Sequence, residues 1–205
     1  MKIHYAACLL LILSCIGCRE SAERSETTAA RNNEGKEFYS KEFNWRIIIP
    51  DDFKELSDDE IDTLQGIGKS AIEETAGEEP ENRSKSIFVF KDAGNDYFEA
   101  NHQPFDSTKD GDYEESFRSA NAILYETYSS RMPDMQIDSA SSTEMIDGLL
   151  FQKFSIVVRK GNDKIMTSRL YSRLFDKKEF SANISFKDEA QGRKLTEAWE
   201  RSSFH

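Results

Sequence analysis

One stretch of the chain, residues 149–186, predicts three consecutive β-strands and reads LLFQKFSIVVRKGNDKIMTSRLYSRLFDKKEFSANISF. Within each predicted strand, apolar residues recur at every second position, which places them together on one face of a sheet. Polar turn sequences at 161–163 and 176–179 separate the three strands and are typical of tight connections. The stretch therefore predicts an antiparallel meander on which the rest of the chain packs.

The alternation also predicts how the first two strands of the meander pair. A two-residue loop would place Phe154 beside Arg169, whereas an odd-length loop pairs Phe154 with Leu170. We expect the odd-length loop, because a slip of one residue would turn the apolar side chains to the wrong face. In the principal core, Leu170 is then expected to lie between Phe154 on the first strand and Ile184 on the third.

Apolar residues also occur on the more polar face of the meander, at Phe151, Val157, Ile165, Tyr171 and Phe175. Both faces of the sheet are therefore predicted to be at least partly covered. A helix on each side of the sheet would supply that cover.

The segments outside the meander supply those helices and further strands. Their hydrophobic periods and capping residues predict an α+β domain, with a mostly antiparallel sheet and helices packed on it. The predicted elements are, in chain order, a strand or hairpin at 38–49, a helix from the capping box at 57–60, strands at 87–90 and 97–102, a helix from the capping box at 112–115, a strand at 137–145, the meander and a last helix capped by Asp188.

This order of elements resembles the PsbP-like α/β/α sandwich, as do the short sequences IIIP at 47–50 and IDG at 146–148 and a closing helix followed by Ser-Phe. That fold occurs in photosystem extrinsic proteins, in a Ran-binding protein and in many bacterial lipoproteins. The resemblance covers residues 38–204 and includes no catalytic motif. It implies an adaptor or binding role more than the role of an enzyme.

The N-terminus has the features of an export signal. Lys2 precedes a mainly apolar segment at 6–17, which is too short to cross a bilayer whose core requires about 20 residues. Cys15 follows Ile-Leu-Ser, a sequence that resembles the bacterial lipobox, while Cys18 follows Ile-Gly and directly precedes polar residues. Lipid attachment is therefore predicted at Cys15, with Cys18 as the alternative.

The chain divides into three predicted regions. Residues 1–18 form the signal peptide and lipobox, residues 19–36 a flexible polar tether without a hydrophobic period, and residues 37–205 a single α+β domain. Neither Ile16 nor Arg19 is the aspartate that retains lipoproteins in the inner membrane of familiar enterobacteria. We therefore expect a lipid-anchored protein of the cell envelope, at the outer membrane.

Composition limits the classes of partner and cofactor. The formal net charge is -11 and the pI is near 4.9, which disfavours nucleic acid, because its phosphates require a basic surface. All three cysteines lie within the first 18 residues, so the domain has no thiolate for catalysis or metal binding. We expect the membrane as a partner through the lipid, a protein or anionic partner for the domain, and no cofactor.

Two segments bear on catalysis and on metal binding. His102 is the one internal histidine of the domain, but the sequence has no G-x-S-x-G motif with which it could form a hydrolase site. Residues 106–117 half resemble a calcium loop, yet Thr108 and Phe117 occupy two of its ligand positions. We predict no catalytic residue, no metal site, and a solvated loop with a helix cap at 106–117. An envelope hydrolase with a site near His102 is the alternative to a binding module.

A candidate binding site lies on the second face of the meander, where Arg169, Tyr171 and Arg173 occupy alternate positions. Side chains two residues apart on a strand stand about 7 Å apart on one face, so the three form a stripe that can grip an anionic or aromatic group. The alternative is structural. In that case the long cations cover apolar neighbours such as Phe151 and Phe175 and pair with nearby acids.

Overall fold

Nine strands and four helices make up the described part of the chain, residues 35–76 and 83–205, in this computed structural model. The strands are β1 (Lys36–Ser40), β2 (Trp45–Ile49), β3 (Lys54–Glu55), β4 (Lys85–Lys91), β5 (Tyr97–Pro104), β6 (Gln136–Ile146), β7 (Leu149–Lys160), β8 (Asp163–Phe175) and β9 (Lys178–Phe186). The helices are α1 (Asp58–Ala76), α2 (Ser107–Asp110), α3 (Tyr113–Arg131) and α4 (Glu189–Glu200). The predicted signal peptide with Cys15 and Cys18, and nearly all of the predicted tether, lie outside the described residues.

Seven of the strands form one antiparallel sheet in the order β3-β4-β5-β9-β8-β7-β6, which leaves β6 and the short β3 as its edges. Strands β1 and β2 form a separate two-stranded sheet. The β1–β2 hairpin and α4 cover one face of the large sheet, and α1 and α3 cover the other. The predicted fold class, α+β with a mostly antiparallel sheet and helices packed on it, is confirmed.

Local sequence signals begin the helices as predicted. At α1, the Glu60 carboxylate accepts a 2.9 Å hydrogen bond from the backbone N–H of Ser57, which forms the predicted capping box. At α3, the Asp112 carboxylate accepts a 2.9 Å hydrogen bond from the backbone N–H of Glu115. Asp188 accepts hydrogen bonds from two amides in the first turn of α4. These caps satisfy N–H groups that a helix cannot bond internally.

The first two strands of the meander pair as predicted, with Phe154 opposite Leu170. The predicted odd-length loop is wrong, because Lys160 pairs with Asp163 across a two-residue loop and a register shift next to Val158 restores the predicted pairing. The predicted position of Leu170 between Phe154 and Ile184 is wrong. Leu170 lies opposite Asn183 of β9, whereas Ile184 lies opposite Arg169 and therefore faces the other side of the sheet. Because both sides of the sheet are covered, the apolar residues of β9 could be buried on either side, and their alternation does not select one.

An aromatic core fills the side of the sheet that faces the β1–β2 hairpin and α4. Its largest members, Trp45 and Trp199, are fully buried. The Trp45 ring stacks on Phe88 with centroids 5.3 Å apart, and the Trp199 ring is nearly parallel to that of Phe180 at 6.2 Å. Aromatic burial on this scale holds the hairpin and α4 against the sheet.

A smaller apolar cluster lies on the opposite side, where Phe117 and Leu124 of α3 pack with Phe154 and Leu170 of the sheet. With helices on both sides, the domain has the α/β/α layering that the sequence predicted. Within the described ranges, no helix is both long enough and apolar enough to cross a membrane.

Candidate functional site

The predicted stripe of Arg169, Tyr171 and Arg173 lies on one face of β8, but that face belongs to the aromatic core and α4 covers it. Tyr171 is fully buried, and its ring centroid lies 5.2 Å from that of Trp199. The Lys153 ammonium lies 5.2 Å from the Tyr171 ring centroid. Burial raises the pKa of the Tyr171 hydroxyl well above its usual value. The tyrosine is therefore part of the core.

The two arginines lie at the margin of this core and bond within the chain. Arg169 donates a 2.7 Å hydrogen bond from Nη1 to the Thr196 hydroxyl on α4. Arg173 donates a 2.7 Å hydrogen bond from Nη1 to the Leu150 carbonyl, and its guanidinium lies 5.4 Å from the Phe175 ring centroid. These contacts agree with the structural alternative, and binding by the stripe stays a hypothesis.

His102 has the carboxylate neighbour of a catalytic histidine but no nucleophile beside its other ring nitrogen among the described residues. Its Nε2 lies 3.1 Å from the Glu42 carboxylate, while Nδ1 is buried without a hydrogen-bond partner among the described residues. A catalytic histidine bonds its orienting carboxylate through one ring nitrogen and the nucleophile through the other, and here no hydroxyl meets Nδ1. Burial lowers the pKa of His102 more than Glu42 raises it, so the ring is neutral at pH 7.

The acidic segment 106–117 begins two helices, α3 as predicted from the capping box at 112–115, and the short α2, where a solvated loop was expected. The Asp106 carboxylate accepts a 3.1 Å hydrogen bond from the backbone N–H of Thr108 at the start of α2. Asp110 forms a 2.8 Å ion pair with Arg83. In the part of the chain that the structure describes, no three His, Cys, Asp or Glu side chains converge in a way that could hold a metal ion.

An open cavity beside α4 is the candidate functional site, and we call it the α4 groove. It lies between α4 and β2 and encloses about 410 Å³. Ile48, whose side chain is 43% exposed, forms an apolar wall of the groove together with Pro50 and Ala198. Among the described residues, the groove is lined by Ile48, Pro50, Asp52, Lys194, Glu197, Ala198 and Arg201.

The backbone of β2 directs one donor and one acceptor toward the α4 groove. Arg46 exchanges two backbone hydrogen bonds with Ser203, at 2.7 and 2.9 Å. Alternate residues of a strand direct their N–H and C=O groups to the same side, so the N–H and C=O of Ile48 point the same way as those of Arg46. Among the described residues, these two groups of Ile48 have no backbone partner.

Charged side chains form the rim of the α4 groove and are paired there. Lys194 donates a hydrogen bond to Asp52, and Glu197 and Arg201 lie 3.8 Å apart one helical turn from each other. Burial alone would raise the pKa of Asp52, but hydrogen bonds from Lys194 and Gln191 outweigh it and hold that pKa below its usual value. An apolar centre with a polar, charge-balanced rim is typical of protein–protein contacts.

A ladder of polar side chains is buried between the sheet and the two helices α1 and α3. Its members pair across β5 and β9, and each is at most 9% exposed. At one end of the ladder, the Glu179 carboxylate accepts 2.6 Å hydrogen bonds from both Gln103 and Ser172. The opposed pairs of this polar ladder are Tyr97 and Ser185, Glu99 and Asn183, Asn101 and Ser181, and Gln103 and Glu179.

Two carboxyl groups of the polar ladder hold their protons more tightly than usual. Burial raises the pKa of Glu99 to about 8, so this side chain is protonated at pH 7. Burial also raises the pKa of Glu179, against the opposite effect of its hydrogen bonds from Ser172 and Gln103. The ladder is enclosed by the sheet and the helices, so we relate it to stability and not to a surface site.

The α4 groove was not predicted from the sequence. Its walls come from β2 and α4, which are far apart in the chain. The one signal in the sequence is the run of three isoleucines at 47–49, because the middle residue of a strand segment points away from the face of its two neighbours. Ile48 is the exposed member of that run.

Comparison with solved structures relates this architecture to a known fold. The chain is similar to cyanobacterial PsbP (CyanoP) from Synechocystis sp. PCC 6803, with a TM-score of 0.55 and 8% sequence identity, over 88% of this chain and 98% of that protein. The chain has a PsbP-like fold. At this level of identity the likeness establishes the fold alone.

A crystal structure from Bacteroides thetaiotaomicron VPI-5482 aligns with a TM-score of 0.46 and 11% identity, over 84% of this chain and 49% of that one. No protein-family model matches the sequence, and no curated protein matches it. The PsbP-like α/β/α sandwich expected from the order of elements is confirmed by the structural comparison.

Proposed function

We propose that this protein is a non-enzymatic binding or accessory module of the cell envelope, tethered by an N-terminal lipid, which holds part of a partner protein in the α4 groove. The observation that supports the binding role most directly is the exposed Ile48 side chain beside its own backbone N–H and C=O, which have no backbone partner in residues 35–76 and 83–205. A partner segment can cover the side chain and bond the backbone groups at the same time.

The export signal and the two cysteines that end it, Cys15 and Cys18, support the tether. A flexible coil with the length of residues 19–36 has an average end-to-end distance of about 23 Å. A lipid at the N-terminus would therefore keep the α4 groove close to the membrane surface. The partner is then expected to be a protein of the same membrane or of the space next to it.

The groove is tested with Ile48→Arg in the anchored protein, followed by crosslinking in its own envelope and recovery of bound proteins. We expect the recovery of a specific partner to fall at least tenfold, because a buried cation replaces the apolar wall of the contact. Ile165→Arg is the matched control, since Ile165 lies on β8 and is 39% exposed. Equal recovery with the two variants would contradict binding in the α4 groove.

The anchor is tested separately with the double variant Cys15→Ser and Cys18→Ser. We expect it to leave the detergent phase and to be recovered in the soluble fraction, because neither position can then carry a diacyl group. The two single variants identify the acylated cysteine. A double variant that still partitions into detergent like the wild type would refute lipid attachment at these residues.

A further inference from the structure

The outer edge of β6 is an unprotected site for the addition of another strand. β6 is the last strand of the seven-stranded sheet and spans 11 residues, Gln136–Ile146. Among the described residues it pairs with β7 on its inner side and with no strand on its outer side. The opposite edge, β3, has only two residues. β6 therefore presents the long free edge of this sheet.

The turn that joins β6 to β7 determines which backbone groups point outward. Two residues with positive φ, Asp147 and Gly148, form the turn, and Ile146 and Leu149 close it. In a two-residue hairpin the closing pair exchanges both hydrogen bonds, and every second pair along the strands does the same. The intervening residues direct N–H and C=O away from β7, over a length of about 27 Å. They are Ile137, Ser139, Ser141, Thr143 and Met145.

β6 lacks the usual devices that prevent pairing at a free edge. Natural edge strands are commonly protected by proline, by lysine or by a β-bulge. β6 contains neither proline nor lysine, and its register with β7 is continuous. Its central residues, 139–143, read SASST and are all exposed. A second strand can therefore approach residues 139–143 without meeting a large or charged side chain.

Acidic side chains near both ends of β6 indicate the charge of the strand that it accepts. Asp138 and Glu144 are six residues apart and share one face of the sheet. Each pairs with a cation of β7, Asp138 with Arg159 and Glu144 with Lys153. Both carboxylates keep exposed surface, at 47% and 24% of their side chains. An added strand with cations opposite Asp138 and Glu144 would continue the alternation of opposite charges from β7 across β6. Opposite charges on neighbouring strands stabilise cross-strand pairs.

We propose that β6 binds an extended segment of a partner protein by strand addition, and that this segment carries positive charges opposite Asp138 and Glu144. A second copy of this chain is a poorer occupant. Each copy has a formal net charge of -11, and an antiparallel β6–β6 pair centred on Ser141 would place Asp138 of one copy against Glu144 of the other. This surface is separate from the α4 groove, so its test does not depend on that of the proposed function.

The probe is a synthetic nine-residue peptide with blocked ends, Thr-Lys-Val-Thr-Val-Thr-Val-Lys-Thr. Its two lysines have the same six-residue spacing as Asp138 and Glu144. The first measurement is amide hydrogen exchange of the full chain by NMR, with and without saturating peptide. We expect exchange to slow at least tenfold at the five outward-facing residues 137, 139, 141, 143 and 145. The alternate residues 138, 140, 142 and 144 already bond to β7, so their exchange should not change.

The second measurement is peptide affinity, followed by fluorescence anisotropy of a labelled peptide. Ser141→Pro removes one outward N–H without removing a hydrogen bond to β7, a position at which an edge strand tolerates proline. We expect this variant to bind the peptide at least tenfold more weakly than the wild type. Ser141→Ala, the matched control, should bind within twofold of the wild type. A peptide with glutamate in place of both lysines should bind at least fivefold more weakly.

Three outcomes would overturn the proposal. Equal affinity of wild type and folded Ser141→Pro would exclude strand addition at β6, as would unchanged amide exchange on addition of peptide. If the outward-facing amides are protected without peptide and sedimentation detects a dimer, the edge belongs to a second copy of the chain. If Ser141→Pro does not fold, the proposal is tested by amide exchange of the wild type alone. Slower exchange at the outward-facing residues on addition of peptide supports strand addition, and unchanged exchange excludes it.

Discussion

Glu99 lies directly opposite Val89 in the β4–β5 pair, so a carboxyl group of the polar ladder borders an apolar cluster under α1. Val89 is fully buried and clusters with Ile61 and Leu64. Glu99 accepts a 3.2 Å hydrogen bond from Asn101. An ionised carboxylate would lose most of its hydration here, and for this reason burial raises the pKa of Glu99 to about 8.

Glu99→Gln is expected to stabilise the domain at neutral and alkaline pH. The folded protein holds the Glu99 proton up to about pH 8, whereas the usual value for glutamate is 4.5. The wild type therefore loses stability as the pH rises through this window, by at most about 1.4 kcal/mol per pH unit. Urea unfolding of both proteins between pH 5 and 9 should give a difference that widens up to about pH 8 and then levels off.

Glu126→Gln controls for the loss of a formal charge, since Glu126 is exposed on α3. The difference in unfolding free energy between wild type and Glu99→Gln could instead be the same at every pH. In that case the pKa of Glu99 would not be raised in the folded protein.

Leu170→Asp is expected to prevent folding. Leu170 is buried with Phe154 and Phe117 under α3, and an unpaired carboxylate at this position costs several kcal/mol against a total stability of roughly 5 to 15 kcal/mol. Leu174→Asp is the matched control, because Leu174 lies on the same face of β8 and is half-buried. Cooperative thermal unfolding of Leu170→Asp near the wild-type temperature would contradict the position assigned to Leu170.

The same substitution in two helices is expected to have opposite effects. A Cβ at Gly192 would lie 2.3 Å from the Phe186 ring, whereas a Cβ at Gly66 would meet no atom within 4 Å. Gly192→Ala should therefore destabilise the domain by about 1 to 3 kcal/mol through overpacking. Gly66→Ala should stabilise it by about 1 kcal/mol through helix propensity. Chemical unfolding of both variants measures the two signs, and a neutral Gly192→Ala would mean that α4 lies farther from β9.

The double variant Arg169→Gln and Arg173→Gln separates the two interpretations of the arginine stripe. From the hydrogen bonds to Thr196 and Leu150, we expect a lower melting temperature and unchanged recovery of the envelope partner. An unchanged melting temperature with loss of the partner would instead support the binding hypothesis for these arginines.

Much of this architecture was predictable because its causes are local. The alternation in 149–160 predicts a strand with one apolar face, and Phe154 pairs with Leu170 as that alternation requires. The capping residue Asp112 marks the start of α3 in the same way, since a cap bonds to N–H groups only two or three residues away. The order of such elements, together with the short sequences at 47–50, 146–148 and 203–204, indicated the PsbP-like sandwich.

The candidate sites depended on contacts between distant parts of the chain. Whether Tyr171 is exposed or buried depends on Trp199 of α4, and the walls of the α4 groove come from β2 and α4, which are far apart in the chain. Alternate residues of a strand point to opposite faces of the sheet, and in a sheet covered on both faces either set of side chains can be buried. The periodicity of a strand therefore determines which side chains share a face, and only tertiary packing decides which face meets a helix, a groove or water.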